Sequence, residues 1–186
     1  MTRLWLVRHG PTHARVLLGH TDLPADLGDR AALARLDEAL PAAPLVSSDL
    51  RRAVQTADAL AGGRDRLPHQ AALREMDFGA WDGRPADDID DPALRPFLER
   101  PGALRAPGGE SWDDLALRAD AAIARLARGR RDLIVVAHMG TILTQWARAA
   151  RLAPHEALAQ VVAPLSLTRI DLAEGRARAV SVNVRP

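Results

Sequence analysis

The chain has 186 residues, a formal net charge of +1 and no cysteine. That length suits one compact domain with a sizeable core, the missing cysteines exclude disulfides and thiolate metal sites, and the balanced charge leaves no footprint for nucleic acid or an anionic membrane. All 25 basic residues are arginine, so an isolated arginine carries little weight as a signal. The longest apolar run, Leu133 to Ala137, is too short to cross a bilayer, and the N-terminus shows no signal-peptide pattern. A cytoplasmic enzyme acting on a small molecule is expected, with no nucleic-acid or membrane partner; the oligomeric state is not legible.

In chain order, Leu4 to Arg8 is a short apolar run predicted as a buried strand. Arg30 to Leu40 places Leu33, Leu36 and Leu40 on one helical face. Pro44 to Ser47 is a weaker strand, and Leu50 to Ala61 is a helix that Gly62-Gly63 stops. The stretch from Phe78 to Glu110 is rich in Pro, Gly and Asp and is expected to insert over one end of the sheet. Ser111 to Arg128 opens with a capping box, Ser111 and Asp114. Asp132 to His138 is the clearest strand, β-branched and continuous, as when both faces are covered. A helix follows over Thr141 to Ala150, then Leu165–Asp171 and Ala177–Val184 form a hairpin turning at Gly175. This alternation predicts a single α/β domain over residues 1–186: three layers, a mostly parallel sheet and helices on both faces, with 78–110 over the active site. Ligands of such sheets sit beyond the carboxyl ends of the strands.

Three clusters could carry chemistry. His9 and His138 each end one of the two most apolar strands, each followed by a glycine-containing loop. Either alone reads as a strand-end histidine with satisfied hydrogen bonds; the two together, at one sheet edge beside Arg8, make a compact cationic site. Ser47-Ser48-Asp49-Leu50-Arg51-Arg52 lies at a strand-to-helix turn, where backbone N–H groups and a first-turn arginine favour an anion. Periodicity does not choose between Arg51 and Arg52. Leu73 to Gly83 reads as a shaped loop in which Glu75 or Asp77 could donate a proton.

Leu6-Val7-Arg8-His9-Gly10-Pro11-Thr12 resembles the signature of the histidine phosphatase superfamily, the phosphoglycerate-mutase-like fold. Gly19-His20-Thr21-Asp22-Leu23-Pro24, the Ser47–Ala57 stretch, the Leu73–Gly83 loop, Gly108-Gly109-Glu110-Ser111 and Val135–Gly140 are similar to its further motifs, in the family's order. The resemblance implies catalytic Arg8, His9, Arg52, Glu75 and His138, with phosphate held by Arg8, Arg52, His138 and Thr12. It also implies departures: many relatives have Glu at Pro11, Asn at Arg15 and Gly at Met139. Arg15, Met139 and Trp81 are candidate pocket residues, with Trp112 a further one.

The implied mechanism needs no metal or other cofactor. Clustered cations neutralise phosphoryl oxygens and disfavour a further positive charge, keeping His9 neutral as the nucleophile. Glu75 protonates the leaving oxygen and then takes a proton from water. The short insertion resembles phosphatases, and the pattern is similar to α-ribazole-5′-phosphate phosphatases of cobalamin nucleotide-loop assembly. Alternatives are a broad-specificity sugar or acyl phosphatase, a phosphoglycerate-mutase-type phosphotransferase, and a non-catalytic phosphate-binding module, for which an intact Glu75 has no use.

Overall fold

A computed structural model of the chain describes residues 1–173 and 175–186. Five strands form one sheet in the order β2-β3-β1-β4-β5: β1 (Thr2–Arg8), β2 (Leu45–Ser47), β3 (Asp132–Ala137), β4 (Leu167–Ala173) and β5 (Arg176–Val184). β2, β3 and β1 run parallel. β4 pairs antiparallel with β1, and β5 antiparallel with β4. The sheet is therefore mixed: its parallel half holds the strands that end in chemistry, and the expected C-terminal hairpin closes one edge. Gly175 turns that hairpin at φ +75, a left-handed conformation that glycine adopts without a Cβ clash.

Alternation along the strands sends side chains to two separate cores. Leu4, Leu6, Leu133, Val135 and Ala137 pack on one face, against α4 (Trp112–Ala127) and α5 (Met139–Ala150). Val7, Leu45, Ile134 and Val136 pack on the other, against α1 (Arg30–Ala39) and α2 (Arg51–Ala59). The α4 capping box forms: Ser111 Oγ accepts the Asp114 N–H, and Asp114 accepts the Ser111 N–H at 2.9 Å. Residues 78–110 hold two single-turn 3-10 segments and the short helix α3 (Leu94–Glu99). A further short helix, α6 (Pro154–Leu158), has too few residues for periodicity to reveal it. No helix among the described residues is long and apolar enough to cross a membrane.

One boundary bears on function. The helix expected from Thr141 begins at Met139, immediately after His138. Its first backbone N–H groups, which lack partners within the helix, therefore lie beside the strand end where His138 sits.

Candidate active site

The register pairs Arg8 with Ala137 across β1 and β3, and the His9 N–H donates to Ala137 O at 3.0 Å. Both histidines thus leave the sheet at one edge, with ring centroids 5.0 Å apart. Their surroundings differ. His9 is 5 % exposed and lines a cleft of about 360 Å³ with Arg8, Thr12, Glu75 and Met139. Its Nδ1 lies 2.7 Å from the Gly10 carbonyl. A carbonyl oxygen only accepts, so Nδ1 carries the proton and Nε2 keeps its lone pair. Burial, reinforced by the Arg52 and Arg8 charges against an opposing hydrogen bond to Gly10, pushes the His9 pKa down to about 3. The ring is neutral at physiological pH.

His138 is fully buried and does not line the cleft. Arg52 Nε donates to its Nδ1 at 3.2 Å. Its Nε2–H therefore donates to Ser48 Oγ, 2.6 Å away. Burial, then Coulombic coupling to His9 and the positive charges of Arg52, Arg118 and Arg8, holds its pKa well below the usual imidazole range. Arg52, also fully buried, donates from Nη1 to Thr21 O at 2.9 Å and from Nη2 to Gly19 O at 2.7 Å. Neither residue is among those that line the cleft, and their polar atoms hold one another and the Gly19–Thr21 loop. Arg8 is the open cation: Nη1 donates to Val162 O at 2.6 Å, while its buried Nε–H has no partner among the described residues. Burial lowers the pKa of Arg8 and of Arg52, and Glu75 opposes that drop in both; a guanidinium remains charged regardless.

Glu75, and not Asp77, faces the cleft. Its Oε1 accepts the Met76 N–H at 2.9 Å and its Oε2 accepts the Gly140 N–H, in the first turn of α5, at 3.0 Å. The seat requires glycine, because a Cβ at Gly140 would collide with Oε1. Asp77 instead accepts the Gly79 N–H at 2.8 Å and shapes its own loop. A Cβ at Gly10 would sit 2.6 Å from Leu27 Cδ2, so glycine there admits the 25–27 segment.

Of the remaining candidates, Thr12 and Met139 line the cleft. Arg15 is exposed and lines no cavity beside the site. Trp81 is a core residue: it is 2 % exposed, donates to Asp91 Oδ2 at 3.0 Å and packs edge-on to Phe97 at 5.2 Å. The reason is the turn at Gly79–Trp81, which folds the indole inward. Trp112 lines an apolar pocket next to the cleft.

The sequence motifs gave no role to Ser48, Thr56, Glu110 or Arg118. Thr56 Oγ accepts the Gly10 N–H at 2.9 Å and donates to Arg52 O at 2.7 Å, tying the nucleophile loop to α2. Glu110 grips Arg118 through Nε at 2.7 Å and Nη2 at 2.8 Å. Arg118 in turn donates to the carbonyls of Ala72, Arg74 and Glu75, so this ion pair holds the acid loop in shape. The available signal was an arginine three residues after Leu115 and four before Ala122, interrupting the apolar stripe of α4.

Fold and site together define an α/β enzyme with a neutral histidine, flanked by guanidinium groups and a carboxyl, at the carboxyl ends of the parallel strands of a mixed sheet. The chain matches the family model described as Histidine phosphatase superfamily (branch 1) over residues 4–185. It belongs to that superfamily and is an enzyme of the phosphatase kind. It is 33% identical over 149 residues to a probable phosphoglycerate mutase GpmB of Salmonella paratyphi C, covering 73% of this chain and 69% of that protein. The mycobacterial glucosyl-3-phosphoglycerate phosphatase Rv2419c superposes with a TM-score of 0.85 at 27% identity, covering 100% of both chains. The alpha-ribazole phosphatase of Shigella flexneri superposes with a TM-score of 0.83 at 25% identity, over 99% of this chain and 97% of that one.

Proposed function

We propose that this chain is a phosphomonoesterase that acts through a phosphohistidine at His9 on a small phosphorylated metabolite, without a divalent metal ion. The observation that carries this is His9 itself: neutral, with Nε2 bearing a lone pair, and lining a cleft with Arg8 and Glu75. Phosphate esters resist hydrolysis because little nucleophile is available and charge gathers on the phosphoryl oxygens. Arg8 supplies a cation with free donors, and Arg52 a fixed positive field behind it. His9 Nε2 forms the N–P bond as the ester P–O bond breaks, and the Glu75 carboxyl gives its proton to the departing alkoxide. Water then attacks the phosphohistidine, Glu75 accepts its proton, the N–P bond breaks and phosphate leaves.

α-Ribazole 5′-phosphate, and with it a place in cobalamin nucleotide-loop assembly, is the narrower substrate proposal, supported by the likeness to the Shigella flexneri enzyme. The likeness to a probable phosphoglycerate mutase favours transfer between positions of one sugar acid as a second reading. Rapid quench with labelled ester is expected to trap acid-labile phosphate on the wild type and none on His9→Asn. A fully active enzyme that never carries label would overturn covalent catalysis. Activity should survive exhaustive chelation. Phosphate release from α-ribazole 5′-phosphate, glucosyl-3-phosphoglycerate and 3-phosphoglycerate then separates a phosphatase, which frees phosphate, from a mutase, which returns it to the sugar acid.

A further inference from the structure

Glu75 is shared by two cavities. On one side lies the cleft of His9 and Arg8; on the other lies a pocket of about 150 Å³. Leu17, Phe78 and Met139 also belong to both, so the two are continuous around the proton donor. A group protonated by Glu75 while its phosphorus is bound at His9 must point from the first cavity towards the second. The pocket is therefore where the leaving alcohol extends.

Its walls are apolar. Phe78, Phe97, Leu98, Trp112, Met139 and Leu158 supply the surface, and Glu75 is the one ionisable side chain among the lining residues. Phe97 is held edge-on by Phe78 at 6.2 Å and by Trp81 at 5.2 Å, which makes the aromatic wall rigid. No cation stands there to meet a second phosphate or a carboxylate, and an unpaired anion in such surroundings is costly. A dry cavity of about 150 Å³ lined by Leu, Ile and Phe is large enough for benzene. The mouth is apolar as well: Leu98 and Met139 are 41 % and 38 % exposed.

We infer that this pocket receives a neutral, ring-sized apolar part of the leaving alcohol, so that the substrates are phosphate monoesters of ring-bearing alcohols with no second negative charge near the ester. The inference rests on the phosphatase reading and deepens it. It also sets the enzyme against mutase substrates, whose sugar acid places a carboxylate beside the reacting oxygen.

The test compares kcat/KM for 2-phenylethyl phosphate and 3-phosphoglycerate, two primary-alkyl esters, so that ring and charge rather than leaving-group reactivity separate them. The wild type should prefer 2-phenylethyl phosphate by at least ~10-fold, the scale on which an apolar pocket discriminates. Leu98→Arg, at the exposed mouth, should lower that preference by ~10-fold or more, partly by raising turnover of 3-phosphoglycerate. Because both esters are assayed on the same preparation, the ratio is independent of how much of the variant folds. Equal use of the two esters, preference for 3-phosphoglycerate, or a ratio indifferent to Leu98→Arg overturns this inference and leaves the phosphatase reading standing. No turnover of any ester, with no label on His9, removes both.

Discussion

The ends of β1 and β3 look alike in sequence and do different work. Each is a buried apolar run ending in histidine. At the end of β1 the ring lines a cleft and keeps its Nε2 lone pair. At the end of β3 both ring nitrogens are consumed, one by Arg52 and one by Ser48, with no exposure left. The difference follows from what comes next in the chain. After His9 the backbone runs into an irregular loop pinned through Gly10 to Thr56; after His138 it enters α5 at once, and the helix start is taken up by Glu75. One strand end thus presents the histidine proposed as nucleophile, while the other organises Arg52 and, through the start of α5, Glu75.

That contrast predicts a graded response to substitution. His9→Ala removes the group that bonds phosphorus, and kcat should fall by at least ~10⁴-fold, in the range seen when a nucleophile is deleted; single-turnover kinetics would check this. A loss under tenfold would show that the two histidines had been assigned the wrong way round. Glu75→Gln keeps the seat on Gly140 but holds no proton to give. Alkyl esters should slow by ~10²–10⁴-fold, and 4-nitrophenyl phosphate, whose leaving group needs no acid, by far less. Equal losses would take Glu75 out of the acid role. His138→Ala leaves the buried Arg52 Nε and Ser48 hydroxyl without partners. We expect ~10²–10³-fold in kcat with acid-labile phosphate still trapped on the protein, the result that separates an organiser from a nucleophile. Ser48→Ala should cost about 1–3 kcal/mol of stability, read by urea unfolding, because it deletes one hydrogen bond and leaves the buried His138 Nε2–H unpaired.

Acid sharpens the same comparison. Both histidines are held below the ordinary imidazole pKa, His9 to about 3. The unfolded chain therefore takes up protons near pH 6.5 that the folded chain refuses, and stability must fall as pH drops below that value. For His9 alone the loss between pH 6.5 and pH 5 is about 2 kcal/mol. Denaturant unfolding at the two pH values should show a smaller drop in His9→Asn than in the wild type.

Much of the site was legible as residues, less of it as roles. Arg8, His9, Arg52, Glu75 and His138 are all brought to one sheet edge, as the strand-end pattern and the family motifs together implied. The motifs could not tell how deeply Arg52 and His138 are buried, because burial depends on how the Gly19–Thr21 carbonyls and Ser48 close around them. Arg15 read as a pocket residue because relatives hold an asparagine there, and Trp81 because it lies in the 78–110 insertion; one is exposed and the other is buried in the core. The Glu110–Arg118 staple joins residues of two separate elements to the acid loop, and a pairing of that kind leaves only the faint mark of a charge inside an apolar stripe.

By itself the sequence determined the main strands and helices, the two-faced sheet and the set of candidate site residues. Hydrophobic period, caps, turn glycines and side-chain chemistry are local properties that a linear chain carries in full. Tertiary structure decided which histidine is free, which carboxyl faces the cleft, and that an apolar pocket lies on the far side of that carboxyl. Those outcomes depend on contacts between residues far apart in the chain, where burial and hydrogen-bond partners are set by neighbours that no local pattern specifies.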